Sequence, residues 1–263
     1  RFDMGRSVVA PFLWNRGIRS IDHVIGTHPQ LDHVGGLAWI LAHFQVEKFW
    51  TNGAERQEEF WRRIERAMVQ RKLEATVATE GRLISEGPAC RMVVLNPQPR
   101  PESSISAKSE SLNNLSVVTE LVCREQRVLF TGDIEREALT RLTHSGNSAH
   151  IALLKVPHHG AKSSLERRWL ETIRPAVGVV SAGRRNPYGH PAGEVLAAYQ
   201  AVETQVWRTD RDGAIWADLD LTRQELSMHS TREWILQPAL TSADIWSVEQ
   251  DNLRRLWRRW NWT

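Results

Sequence analysis

The sequence predicts a layered α/β fold in which helices cover mixed sheets, and three observations lead there. The apolar pattern switches repeatedly between strand-like and helix-like periods as far as about Leu221. The strands are joined both by tight turns and by helical crossovers, the combination that packs helices onto sheets. At 263 residues the chain can bury a core large enough for one big α/β domain or two small ones.

Taken in order, Ile21 to Gly26 reads as a short buried strand, Gly35 to Phe44 as a helix and Val46 to Trp50 as a second strand. Ala54 to Leu73 is a long amphipathic helix, with Phe60, Trp61, Ile64, Ala67 and Met68 along one face. Met92 to Leu95 is a strand, and Pro97 to Ser111, rich in Pro and Ser, a loop. Leu115 to Cys123 and Arg127 to Thr131 flank a polar turn and form a hairpin. Helices at Glu135–Leu142, Ser163–Ile173 and Glu194–Gln200 then alternate with strands at Ile151–Val156, Val177–Ser181 and Gln205–Arg208. A last strand, Ala214 to Leu219, follows the Asp212-Gly213 turn. Beyond Leu221, Trp234, Trp246, Trp257, Trp260 and Trp262 crowd together, which marks a helical tail that packs on the domain or on a missing part. Tryptophan and arginine on one helix also suit membrane interfaces and nucleic acid.

Composition excludes several classes. No apolar run approaches the ~20 residues of a membrane-spanning helix, and no secretory signal opens the chain. Its first residue is Arg1, which suggests a fragment of something longer. Net charge is +3, compatible with a polyanionic substrate and not diagnostic of one. Two basic clusters stand out: Arg62, Arg63, Arg66, Arg71 and Lys72, and Arg254, Arg255, Arg258 and Arg259. Either reads first as a solvated helix face. Cys90 and Cys123 match no disulfide framework or zinc finger and read as small buried apolar residues.

The chemistry lies in four strand-end loops. Thr27-His28-Pro29-Gln30-Leu31-Asp32-His33 brings His28, Asp32 and His33 together just before Gly35-Gly36 opens a helix. Imidazole and carboxylate suit a divalent metal of borderline hardness, although Asp32 alone would also serve as a helix cap. Thr131-Gly132-Asp133 ends a later strand and, taken alone, is a turn and N-cap. Lys155-Val156-Pro157-His158-His159-Gly160 ends the next, and Asn186-Pro187-Tyr188-Gly189-His190-Pro191 precedes a helix. Open α/β sheets gather their sites at strand C-termini, so four such loops read as one constellation.

In this order and spacing, Thr-His-Pro-x-x-Asp-His-x-Gly-Gly, Thr-Gly-Asp, Lys-Val-Pro-His-His-Gly and Tyr-Gly-His-Pro resemble the metallo-β-lactamase-fold domain of ComEC-type DNA-uptake proteins. The likeness runs from about Phe2 to Ala217. It implies a four-layer αββα sandwich over residues 1–221, with 222–263 as a Trp/Arg-rich tail. It implies one or two divalent ions, manganese or zinc, with no small-molecule cofactor, and hydrolysis of esters or phosphodiesters. By residue matching, His28 belongs to a first metal position. Asp32, His33 and His158 hold a second, Asp133 bridges, and His159 is the second choice of its pair. Asp32 is the candidate to orient the nucleophile or accept its proton. Lys155 and His190 are candidates to neutralise developing charge, beside the plainer readings of a surface lysine and a helix-cap histidine. The implied substrate is DNA, single-stranded, cut during uptake. The implied partner is the membrane-embedded part of the same parent protein, which holds an otherwise soluble fragment at the cell membrane.

Three departures qualify this. Gln30 stands where relatives have a charged or imidazole ligand. The relatives' Asp-Val-Gly-Gln-Gly-Asp strand precedes the start of this sequence, so the sandwich is expected to lack its N-terminal strand. The middle region offers Asn113 and Asn114 but no histidine. One strong and one weak metal site are therefore expected. A degenerate domain that binds DNA or only packs, and a lactonase or thioesterase on the same fold, are the competing readings.

Overall fold

The computed structural model describes residues 3–54, 58–99, 111–144 and 150–232. Most of the expected Pro97–Ser111 loop, and the Trp/Arg-rich tail from residue 233 on, with Arg254, Arg255, Arg258 and Arg259, lie outside the described residues.

A π-helical turn, Gly5–Val9, and α1 (Ala10–Asn15) lead into β1 (Ser20–Gly26). The short α2 (Leu31–Val34), α3 (Leu37–His43), β2 (Gln45–Thr51), α4 (Glu59–Arg71) and β3 (Ala75–Val77) follow. β1, β2 and β3 form a parallel three-stranded sheet. The second sheet begins with β4 (Leu83–Glu86), β5 (Cys90–Asn96), β6 (Val118–Cys123) and β7 (Gln126–Phe130), all antiparallel neighbours. It continues through α5 (Arg136–His144), β8 (Leu153–Lys155), α6 (Arg167–Ile173), β9 (Val177–Val180), α7 (Gly193–Ala201) and β10 (Gln205–Arg208). β7 to β10 are parallel, giving seven strands in the order β10-β9-β8-β7-β6-β5-β4. The helical turn α8 (Thr209–Asp212) precedes a separate hairpin of β11 (Ile215–Asp220) and β12 (Glu225–Ser230), which runs past the boundary at 221 expected from sequence.

Three apolar clusters define the layers. Val34, Leu41 and Ile64 from α2, α3 and α4 pack on Val24 and Phe49 of the small sheet. Leu139, Leu170 and Tyr199 from α5, α6 and α7 pack on Val118, Leu154 and Val180 of the large sheet. Between the sheets, Trp50 meets Ala78, Ile84, Val94 and Val117. Helix, sheet, sheet, helix is the αββα order. α4 follows from its sequence: buried Ile64 and Ala67 lie on the stripe expected to face the core, and Lys72, at φ 53°, caps it in a left-handed conformation.

One expectation is corrected. Cys90 and Cys123 are not separate thiols but a disulfide. They sit directly opposite in the β5–β6 register, where antiparallel neighbours bring their β-carbons together. A separation of 33 residues gives no hint of this in the sequence.

Candidate metal centre

The site forms where the C-terminal ends of β1, β7 and β8 meet. Val117 N–H donates to the Thr27 carbonyl at 2.8 Å, tying the loop after β1 to the large sheet. Gly132 takes φ 53°, and a β-carbon there would lie 2.7 Å from Ser116 Cβ. Only glycine allows this turn, which delivers Asp133 to the seam between the sheets. The Ser116 hydroxyl accepts from Asp133 N–H at 3.0 Å and lies 3.1 Å from His28 Nδ1.

Asp133 is 1 % exposed and stands at the centre. Its Oδ2 lies 2.9 Å from His33 Nε2 and 3.3 Å from His159 Nε2. Asp32 Oδ2 closes the group, 3.6 Å from His33 Nε2 and 3.5 Å from His159 Nε2. One ligand atom from each of Asp32, His33, Asp133 and His159 lies within 4.8 Å of every other. Two imidazoles and two carboxylates form a donor set that suits zinc or manganese. The imidazole orientations fit as well. His159 Nδ1 lies 2.6 Å from the Ser181 carbonyl, and a donated proton there leaves Nε2 as the unprotonated nitrogen of the neutral ring. That Nε2 is buried and makes no directed hydrogen bond, although two carboxylates stand near it, as expected of an atom aimed at a shared point. His33 is likewise held from behind, with Nδ1 3.2 Å from the Thr27 hydroxyl.

Electrostatics follow from this crowding. Burial works against ionising Asp133, but His159, His33 and the Lys155 ammonium outweigh it and hold its carboxyl far below the usual range. The His159 imidazole beside the Asp32 carboxylate lowers it too. The Asp133 and Asp32 carboxylates push the His159 ring up to about 9. His28, 1 % exposed, is lowered to about 4, first by burial and then by His33.

The candidates from sequence divide accordingly. Asp32, His33, Asp133 and His159 come together. His158 stands outside the group, with Nε2 3.9 Å from Asp133 Oδ2 and Nδ1 3.3 Å from Glu135 Oε1; the two histidines thus exchange the places given them from sequence. Both hold left-handed backbones, φ 46° and 54°, uncommon for non-glycine residues and typical of functional turns. His28 lies behind His33, their rings 4.2 Å apart. Gln30 donates from Nε2 to Asn113 Oδ1 at 2.7 Å, so its amide is engaged by a neutral partner. Lys155 donates from Nζ to the Gly132 carbonyl at 2.7 Å and to Asp133 Oδ1 at 3.3 Å. Its charge is spent on the buried carboxylate, and burial lowers its pKa. His190 sits 5.9 Å from His158, ring to ring, and is lowered by burial and by its histidine neighbours. Sequence reasoning missed Thr27, Ser116 and Glu135, common residue types whose roles depend on contacts between distant segments.

A cleft of about 830 Å³ opens over the group, with Asp32, His158, His159 and His190 on its walls. Of the arginines of α4, Arg63 alone lines this cleft, paired with Asp3 at 3.5 Å. Arg62 and Arg66 pair with Glu59, and Arg71 donates to the Phe44 carbonyl, as a solvated and structural face would.

Residues 2–88 match the metallo-beta-lactamase superfamily. The chain is 30 % identical over 223 residues to ComE operon protein 3 of Bacillus subtilis, covering 81 % of this chain and 26 % of that protein. It is 25 % identical over 229 residues to Recombination protein 2 of Haemophilus influenzae, covering 87 % and 26 %. It therefore spans about a quarter of the length of these relatives. Among solved structures, Igni18, a metallo hydrolase of Ignicoccus hospitalis, aligns over 80 % of both chains with TM-score 0.46 and 15 % identity. Zinc-bound PqqB of Methylobacterium extorquens aligns over 72 % of this chain and 71 % of its own, with TM-score 0.40 and 14 % identity. The chain thus carries a metallo-beta-lactamase domain and is similar over most of its length to ComE operon protein 3 and Recombination protein 2.

Proposed function

We propose that this chain is a metal-dependent phosphodiesterase that cuts single-stranded DNA during uptake, as one part of a larger membrane protein. The observation that carries this reading is the convergence of Asp32, His33, Asp133 and His159 on one point in the wall of an open cleft. Asp32, His33, Asp133 and His159 would hold a divalent ion there, which when bound would supply an activated water and a Lewis acid for a phosphoryl oxygen. Asp32 is exposed on the cleft side at 61 % and kept ionised by His159, which equips it to accept the nucleophile's proton. Asp133 orients the group from beneath, and Lys155 keeps that buried carboxylate charged. Arg63 offers a cation to the substrate backbone across the cleft.

The second group of ligands expected from the fold is replaced here by the Gln30–Asn113 amide pair, so the reading assigns one ion per chain. No described helix is long and apolar enough to cross a membrane; attachment through the rest of the parent protein belongs to the proposal. The Cys90–Cys123 disulfide suits an oxidising compartment, which supports a non-cytoplasmic position for the domain within this reading.

The test incubates single-stranded DNA with the protein and manganese or zinc, beside Asp32→Ala and His33→Ala. Cleavage lost in both variants is the expected result. Binding without cleavage, unaltered by the variants, would identify a non-catalytic DNA-binding domain. Hydrolysis of carboxylic esters alone would identify a lactonase or thioesterase.

A further inference from the structure

Tyr188 is 78 % exposed, unusual for a large aromatic ring on a well-held loop. Asn186 holds that loop: its Nδ2 donates to the Gly183 and His190 carbonyls at 3.0 and 2.7 Å, and its Oδ1 accepts from His190 N–H at 3.0 Å. The ring is therefore presented by a fixed backbone. It lies at the wall of the cleft over the metal cluster.

Tyr188 also begins a series of aromatic rings leading inward. It stacks on His190 at 5.9 Å and 18°. His190 meets His158 edge-on at 5.9 Å, and His158 lies 6.2 Å from His159, a member of the cluster. The same cleft is lined by Leu31, 48 % exposed, Phe60 and Arg63. A flat apolar face, a cation and a metal-ligand group within one cleft complement a ligand with a flat base, an anionic backbone and a phosphoryl group to be held. A phosphodiester alone has no use for the tyrosine face.

We propose that Tyr188, backed by His190, is a stacking platform for one unpaired nucleobase of the substrate strand, holding it while the neighbouring phosphodiester lies at the cluster. This rests on the phosphodiesterase reading and makes it more specific. The platform requires a base that is free to leave its partner, so it selects single strands over duplex. It is indifferent to base identity, because every base has a π-face.

The experiment measures binding by the full chain, in chelator so that no strand is cut, at one fixed salt concentration. The probes are fluorescent oligothymidylate and an abasic deoxyribose-phosphate strand of equal length. Tyr188→Ala is expected to weaken oligothymidylate binding by roughly 5- to 150-fold, the range of one base–aromatic stack, and to leave the abasic strand unaffected. Tyr188→Phe, which keeps the ring, is expected to bind like the parent. Oligothymidylate binding unchanged by Tyr188→Ala, or an equal loss for both strands, would overturn the platform. A parent protein that binds the two strands equally would overturn it while leaving the phosphodiesterase reading standing. A parent protein that binds neither strand in chelator would also overturn the platform, while loss of the phosphodiesterase reading is read separately from the absence of cleavage with manganese or zinc.

Discussion

Exchanging His158 and His159 one at a time for alanine separates the ligand from its neighbour. The four-residue group contains His159 Nε2, 3.3 and 3.5 Å from the Asp133 and Asp32 carboxylates. Four-ligand zinc sites bind with roughly 10–16 kcal/mol at neutral pH, so one ligand of four is worth about 3 kcal/mol, on the order of 10²-fold in affinity. His159→Ala should lose about that much. It should remain folded, since Asp133 keeps His33 and Lys155 as partners. His158 is turned towards Glu135, and outer groups of this kind contribute about 10-fold at the low end. His158→Ala should therefore bind metal within about 10-fold of the parent. Competition against a chromophoric chelator reads both constants without any activity assay, with circular dichroism as the check on folding. If His158→Ala loses the metal and His159→Ala keeps it, the ligand assignment is wrong.

Three further outcomes are expected. Replacing Cys90 and Cys123 together with serine reopens a 33-residue loop, which by chain entropy costs about 3–4 kcal/mol; thermal melts should fall by several degrees, and reductant should lower the parent's melt towards the variant's. His28 is lowered from 6.5 to about 4 in the folded state, so the unfolded chain binds the extra proton between those values. The stability it contributes is present above pH 6.5 and is lost as pH falls towards 4; denaturant titrations of His28→Asn should show a flatter acid limb by up to about one proton, and an identical slope would refute the assignment. Gln30→Asp restores a charged group beside His28 and breaks the amide pair with Asn113. Elemental analysis after dialysis should rise from about one ion per chain towards two, and an unchanged ratio would show that Gln30 is not what limits the site.

Elements with long, regular apolar patterns were legible in the chain. β1, β2 and α4 lie within a few residues of where periodicity puts them, because each carries enough buried positions to define its own period. β3 and β4 were not, since three or four residues with mostly exposed side chains have no period to read. β12 was missed where composition pointed to a tail; its place comes from pairing with β11.

The opening loop shows the same division at the level of chemistry. Its residue types and order, with Thr-Gly-Asp and the paired histidines, are enough to point to a candidate metal-binding group. Imidazole and carboxylate at strand ends have few other uses in such number. Which atoms meet is a different matter. His158 and His159 are neighbours in sequence with the same side chain, and only successive left-handed backbones aim one at Asp133 and the other at Glu135. Gln30 is an amide in the sequence, but its engagement by Asn113, 83 residues away, exists only once both sheets are packed. The disulfide likewise exists only through the β5–β6 register. Local chemistry is written along the chain; the pairing of distant atoms depends on backbone conformation and sheet register, which no short segment specifies.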